Sequence, residues 1–322
     1  MRPRLWSCAA LVEALVVPGE PEVAGELVIV DGGSSEARPD RLTAACERLA
    51  ALPCLVVDAS GGAPTELVDV VAATSVDLEA IIATFERSPS AATSLALHLR
   101  ASERRSVADG LVAESALYSA LQAGPEHRAW REANPARDRG EAGEPRLRVD
   151  RVGDELRITL ARPEVRNALD AAMRDQLLDA LAIAEADPSL RVVLRGEGRT
   201  FCAGGDLDEF GTAPDPATAH VIRLRRSAGG AIARVADRTT VHVHGSCAGS
   251  GVELAAFAGH VIAHPDATFV LPELALGLIP GAGGTVSLPA RIGRHRTALL
   301  ALAGRPIDAA TAEEWGLIDA IN

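Results

Sequence analysis

The stretch from Thr200 to Thr285 constrains this chain more than any other. It reads TFCAGGDLDEF (Thr200 to Phe210), then VHGSCAGSGVELA (Val243 to Ala255), then FVLPELALGLIPGAGGT (Phe269 to Thr285). The first two pieces place glycines where a missing Cβ lets a backbone N–H approach a ligand closely. The second and third each set one glutamate, Glu253 and Glu273, among apolar neighbours, twenty positions apart. Desolvation raises the pKa of a carboxyl in such company, so it is uncommon there unless paired or functional. For either glutamate alone, a functional role and a buried ion pair are equally open. Two presented amides and two sheltered carboxylates together are the parts needed to hold a thioester enolate and move protons around it.

The candidate amides are those of Gly205 and Ser250. Gly204-Gly205 follows a strand-like run, and Ser250 falls in the first turn of an apolar helix, at the positive end of its dipole. Two such donors on one oxygen would each contribute roughly 2.7–4 kcal/mol to an oxyanion. A glycine pair after a strand is by itself most often only a turn. GAGGT (281–285) opens a helix and suits either an anion or tight packing. Cys202 and Cys247 have no base beside them and read as small apolar fillers. His242 and His244 alternate along a strand, which favours a structural place over metal binding.

The chain has no lysine, so all 32 basic residues are arginine. That excludes Schiff-base chemistry and a phosphate-loop lysine. Any phosphate on a ligand must be met by arginine or by backbone N–H. A formal net charge of −12 argues against nucleic acid and anionic membranes as partners. The five cysteines form no CxxC pair and no metal-ligand spacing with the eight histidines, so no metal is expected and reduced thiols in the cytoplasm are the simple reading. MRPRLWSCAALVEALVV imitates a signal peptide, but Glu13 interrupts the apolar run and no small-x-small cleavage site follows. No apolar stretch is long enough to span a bilayer.

With 322 residues and 48% hydrophobic content the chain can bury one large core or two moderate ones. Residues 1–86 alternate strand and helix patterns: 5–17 as a short helix or strand, 25–33 and 53–60 as buried strands, 67–74 as a third, 39–52 and 76–86 as helices. Residues 87–133 form amphipathic helices, with Ser88-Pro89 as a helix start. The polar, Pro- and Gly-containing segment 134–146 is a linker. A second α/β unit, 147–322, carries the motifs. Its strands are expected near 154–162, 190–196, 239–245 and 260–265, and its helices near 163–187, 216–235, 249–259, 283–292, 295–303 and 309–315.

TFCAGGDL, GSCAGSGVELA, LPELALGLIPGAGGT and RPIDAATAEEWGLID together resemble the enoyl-CoA hydratase/isomerase (crotonase) superfamily over about 147–322. The resemblance implies an α/β fold with a crotonase-like (ββα)-superhelix core, and homo-oligomers built as trimers or dimers of trimers. It implies an acyl-CoA thioester substrate with no separate cofactor, coenzyme A being part of the substrate. It implies an oxyanion hole from the N–H groups of Gly205 and Ser250, with Glu253 and Glu273 acting on water and on the substrate α-carbon. Ala203 matches the position whose backbone meets the CoA adenine, and Asp206, Leu207 and Gly281 fall in the matching substrate-binding segments. Arg166, in the turn RPEVRNAL, is the candidate for the CoA phosphates, with Arg291, Arg294 and Arg296 behind it.

Two features depart from the family pattern. Ser250 stands where a glycine is usual, so its side chain is expected to narrow the pocket. Crotonases also continue for about sixty residues past the point matching Asn322, in helices that close over the acyl chain. Residues 88–133 look like that segment placed ahead of the core, and the α/β region before them looks like a smaller, degenerate crotonase half. These helices are expected to wall the acyl site, with Tyr118 facing it. The leading reading of function is hydration of a 2-enoyl-CoA. Isomerisation, C–C hydrolysis and aromatic acyl-CoA oxygenation share the fold, and a non-catalytic partner subunit is the reading from another class.

Overall fold

The computed structural model describes residues 4–19, 21–32, 39–137 and 145–322. Residues 138–144 of the expected linker lie outside that set. The first apolar run is a strand followed at once by a helix, β1 (Leu5–Ser7) and α1 (Cys8–Val16). Ser7 makes the switch, because its hydroxyl accepts the N–H of Ala10 as a helix cap. Then come β2 (Leu27–Asp31), α2 (Pro39–Leu49), β3 (Leu55–Asp58), β4 (Val70–Val71) and α3 (Ser75–Arg87). The four strands pair in parallel, in the order β1-β2-β3-β4.

Period-two alternation decides how that sheet is covered. Val28, Val30 and Val56 face α1 and α2 in one cluster with Leu11, Leu15 and Leu49. Leu27, Ile29, Leu55 and Val57 face the other way and join the large core that runs through the rest of the chain. A parallel sheet is stable when buried on both faces, so this one depends on the remainder of the chain for its second cover. Arg100 fastens the join. Its guanidinium meets both carboxylate oxygens of the buried Asp69 at 2.8 and 2.7 Å and donates to the carbonyls of Leu49, Leu52 and Cys54.

Three helices follow: α4 (Pro89–Arg100), α5 (Val107–Gln122) and α6 (Pro125–Ala133). The helical run 107–133 is two helices, since Pro125 has no N–H to continue α5 and sits instead in the first turn of α6. All three pack on the same chain's core: α4 and α5 against α11 (Gly284–Ala303), α5 also against α8 (Pro216–Arg225). The Ser88 hydroxyl donates to the Leu274 carbonyl at 2.8 Å, and His127 Nδ1 lies 2.9 Å from the Leu276 carbonyl.

The site-bearing part runs β5 (Leu147–Val152), β6 (Glu155–Leu160), α7 (Ala171–Ala186), β7 (Arg191–Gly196), α8, α9 (Ala228–Arg234), β8 (Thr239–Val243), β9 (Ser246–Ala248), α10 (Ser250–Ala255), β10 (His260–Ala263), β11 (Thr268–Val270), α11, β12 (Ile307–Asp308), α12 (Ala309–Trp315) and β13 (Ala320–Ile321). A six-stranded sheet, β13-β10-β8-β7-β6-β5, is parallel except for the β5–β6 hairpin. A second sheet, β12-β11-β9, lies beside it. Each turn therefore lays one strand in each sheet before its helix: β8 then β9, and β10 then β11. The helix read over 216–235 is broken at Arg226, and Ser227 caps its second piece by accepting the N–H of Gly230. The two segments expected at 283–292 and 295–303 join at Gly293, whose φ of 77° kinks α11 there.

Candidate active site

The small sheet brings the glycine segments together. After β7 the chain runs on beside β9, bridged at Cys202 and Cys247, with the Ala248 N–H donating to the Cys202 carbonyl at 2.9 Å. Gly205 and Ser250 thus border one cavity of about 230 Å³, whose wall also includes Leu111, Tyr118, Phe210 and Leu254. Among the described residues, neither the Gly205 N–H nor the Ser250 N–H donates to a protein acceptor. Ser250 opens α10, where N–H groups have no intrahelical partner, and its hydroxyl is buried.

The glutamates arrive by the same logic. β11 pairs with β9, and the Gly249 N–H donates to the Val270 carbonyl at 2.9 Å. That places Glu273, three residues past β11, beside Gly249. Gly249 has φ 47°, and a Cβ there would stand 2.4 Å from Glu273 Oε1. Only glycine meets both demands. Glu273 borders the cavity, and its Oε2 is buried with no hydrogen-bond partner. Burial pushes its carboxyl up from 4.5 to about 8, with the Glu114 charge adding to the rise.

Glu253 lies deeper, 2% exposed. Its Oε2 accepts the N–H groups of Ala282 at 2.7 Å and Gly284 at 2.8 Å. Burial drives its pKa up strongly, and Glu273 and Glu114 raise it further. It stands behind Ala282, which lines the cavity, rather than in the lining itself.

Glu114 of α5 is a residue that sequence reasoning missed. Its Oε1 accepts the Gly283 N–H at 2.8 Å, and its Oε2 accepts the Thr285 N–H at 2.9 Å and the Thr285 hydroxyl at 2.7 Å. Four successive amides at the start of α11 are thereby shared alternately, 282 and 284 to Glu253, 283 and 285 to Glu114. The helix dipole favours negative charge at that end, which offsets part of the cost of burying two carboxyls. Burial still lifts Glu114 to about 7. One sign was available in the sequence: Glu114 lies on the helix face that carries Gly110, Tyr118 and Leu121, where an acid is out of place.

Other expected site residues divide. Gly281 lines the cavity, and the Tyr118 ring lies against it so closely that a Cβ would come 2.3 Å from Tyr118 Cδ2. Asp206 also lines the cavity, but its carboxylate is 3.2 Å from Arg162, which also pairs with Asp170 at 3.0 Å, and Arg146 pairs with Asp170 in turn. Its charge is therefore engaged in holding the turn. Ala203, Leu207 and Arg166 lie outside the lining. The Ala203 N–H is taken by the Arg166 carbonyl at 2.9 Å, and Leu207 is exposed. Arg166 and Asn167 are both left-handed, and Asn167 justifies the turn by donating to the carbonyls of Glu197, Thr200 and Phe201. The Arg166 guanidinium is exposed and makes no hydrogen bond to another described residue. Arg291, Arg294 and Arg296 instead donate to backbone carbonyls in the fold. No helix among the described residues is long and apolar enough to cross a membrane, and no acidic, histidine or cysteine cluster among them could hold a metal.

A raised carboxyl costs stability as pH rises. Between 4.5 and about 8 the folded chain binds a proton at Glu273 that the unfolded chain has released. The stabilisation is complete below 4.5 and is lost as pH climbs through the folded value. The Tm of the full chain minus that of Glu273→Gln is therefore expected to fall steadily from pH 5 to pH 8. A flat difference would show that Glu273 ionises in its ordinary range.

The match to the model of the enoyl-CoA hydratase/isomerase family extends over residues 155–322, about half the chain. The 1,2-epoxyphenylacetyl-CoA isomerase of Escherichia coli is 40% identical over 169 residues, covering 51% of this chain and 64% of that one. The 2,3-dehydroadipyl-CoA hydratase of the same organism is 37% identical over 173 residues, 53% of this chain and 67% of that one. The chain thus spans about two-thirds of the length of these curated relatives. The crystal structure of the enoyl-CoA hydratase from Thermoplasma volcanium superposes with a TM-score of 0.51 at 35% identity, over 55% of this chain and 71% of that one. Strands laid alternately in two sheets, glycine turns meeting at one cavity and a matching sequence over the same residues agree: the chain belongs to the enoyl-CoA hydratase/isomerase family and carries its crotonase fold.

Proposed function

We propose that this protein hydrates a 2-enoyl-CoA thioester. The observation that carries the reading is the pair of uncommitted N–H groups, Gly205 and Ser250, on the same cavity as the Glu273 carboxyl. The thioester oxygen accepts from both N–H groups. As water adds to C3, one carboxylate takes its proton and the double-bond electrons move onto the thioester oxygen. The other carboxyl then delivers a proton to C2 and the enolate collapses to the thioester. Glu273, raised to about 8, can both take and give a proton at working pH, and burial favours the protonated form of Glu253. Water is restricted by α5, whose Leu111 and Tyr118 stand on the cavity wall, and its exclusion strengthens each electrostatic contact. The reaction calls for no cofactor beyond the CoA of the substrate.

A second reading is double-bond isomerisation. It is favoured by Glu273 being the glutamate of the pair that lines the cavity while Glu253 is held behind Ala282, since one carboxyl suffices to carry a proton between two carbons. The 40%-identical relative is also named an isomerase, of an epoxide. Incubation with crotonyl-CoA tests hydration by loss of the conjugated-thioester absorbance. Incubation with a 3-enoyl-CoA tests isomerisation by its gain. Inertness toward 2-enoyl-CoAs of several chain lengths would overturn the first reading. We also propose a cytoplasmic location and a homo-oligomer, a trimer or a dimer of trimers, the assembly to be read by light scattering.

Arg166 is assigned to the CoA phosphates, as the candidate arginine whose guanidinium the fold leaves uncommitted. Titration of Arg166→Ala with a CoA ester is expected to show weaker binding with a shallower salt dependence. Equal affinity and an unchanged salt slope would remove Arg166 from the site.

A further inference from the structure

Arg223 is a cation without an anion. It lies in the last turn of α8, is half-buried, and lines the same cavity as Gly205 and Ser250. Its Nε donates to the Ser115 hydroxyl at 3.2 Å, its Nη2 donates to the Ser119 hydroxyl, and the guanidinium carbon stands 4.7 Å over the Tyr118 ring. Nη1 has no hydrogen-bond partner among the described residues, and no carboxylate among them comes within salt-bridge distance. Its direct contacts are to neutral hydroxyls and the face of an aromatic ring, with the Glu114 charge acting from beyond salt-bridge distance.

The other cavity arginines differ. Arg174 bonds Asp175 at 2.8 Å, and Arg226 approaches the same carboxylate at 4.0 Å. A half-buried guanidinium is normally paired, because desolvation penalises an unmatched charge. Here burial does act against the charged form of Arg223, with Tyr118 and Glu114 offsetting it only in part. Nothing in the packing demands an arginine, since serine hydroxyls and an aromatic face would accommodate a neutral side chain. The two serines and the ring fix the guanidinium in one pose, which lowers the entropy lost when its free edge takes a ligand.

We propose that Arg223 is a specificity residue that receives a carboxylate at the far end of the acyl group, so that the substrate is the CoA thioester of a dicarboxylic acid. The proposal rests on the acyl-CoA reading above and names the class of acyl group. Arg223 lies on the part of the lining contributed by α5 and α8, which also holds Leu111 and Tyr118. Leu111, Tyr118 and Leu254 give the cavity apolar surface, and Arg223 adds a guanidinium with no carboxylate at salt-bridge distance among the described residues, which suits a methylene chain ending in an anion. The CoA phosphates are the other source of negative charge, and the test separates the two.

Binding is measured by calorimetry on the full chain with hexanoyl-CoA and adipyl-CoA, saturated thioesters of equal length that need no turnover. The wild-type protein is expected to bind adipyl-CoA about ten- to a hundredfold more tightly, the range of a charge-assisted hydrogen-bonded pair. In Arg223→Gln, which retains donors for Ser115 or Ser119, that ratio is expected to fall toward one. A wild-type ratio near one overturns the proposal, whether or not the variant folds. A loss of affinity by the same factor for both thioesters in Arg223→Gln, with the ratio kept, assigns the arginine to CoA and overturns it as well. Failure of the chain to hydrate any 2-enoyl-CoA would sink the proposed reaction and leave these binding ratios readable.

Discussion

Glu273→Gln is expected to lower turnover by about 10²–10⁴-fold, the usual contribution of a general acid–base group, with the chain still folded. The amide keeps the shape of the carboxyl and cannot take or give the proton. Stability should hold or rise, because the buried Oε2 has no hydrogen bond to lose and the cost of ionising a sheltered carboxyl disappears. Glu253→Gln is expected to lose at least about a hundredfold on the same grounds. Its amide oxygen can still accept from Ala282 and Gly284, so the turn is retained and the capacity to exchange a proton is what is removed. The measurements are kcat on the true substrate and the thermal midpoint of each variant. Near-normal kcat in either one would remove that glutamate from the mechanism. A collapsed midpoint in Glu273→Gln would mean that its carboxylate is instead a structural partner.

The second large effect concerns the helices ahead of the core. A fragment of residues 147–322 alone is expected to be insoluble or to lack fixed tertiary packing, with activity lost. Leu95 and Leu99 of α4 and Tyr118 of α5 belong to the same buried cluster as Leu254, Leu288 and Leu302. Burying side chains of that size contributes about 1.5–3 kcal/mol each, and a whole domain is stable by only about 5–15 kcal/mol. Removing residues 1–146 also strips Glu114 from the Gly283 and Thr285 amides and Tyr118 from Gly281, on the wall of the cavity itself. A soluble 147–322 fragment with the full activity of the parent would show that α4–α6 serve only their own end of the chain.

The sequence made the chemistry of the core legible because that chemistry is local. A glycine pair after a strand and a helix beginning at Ser250 each fix the direction of an N–H within a few residues; β7 and β8 fall where the periodicity puts them, and α10 starts there but ends at Ala255, short of the expected 259. Glutamates among apolar neighbours declared themselves by composition. The divided helices were harder. Gly124-Pro125 and Arg226-Ser227 stop helices that the apolar spacing alone would continue, since spacing reports which face is buried and not where the backbone hydrogen bonds end. The ion pairing of Asp206 was hidden for another reason: Arg162 lies forty-four positions away, and no local pattern joins them.

What the sequence determined by itself is therefore the set of parts: alternating strand and helix runs, two candidate amides, two sheltered carboxyls, and no lysine with which to meet a phosphate. The tertiary structure decided their company. It set Glu273 on the cavity and Glu253 behind it, gave the start of α11 to Glu114 as well, and left Arg223 with a free edge on the wall. The last two of those choices depend on contacts between segments a hundred or more positions apart, Glu114 with Gly283 at a separation of 169 and Arg223 with Ser115 at 108. Such contacts are selected by the packing of whole helices, because the energy of burying a charge depends on every neighbour that surrounds it.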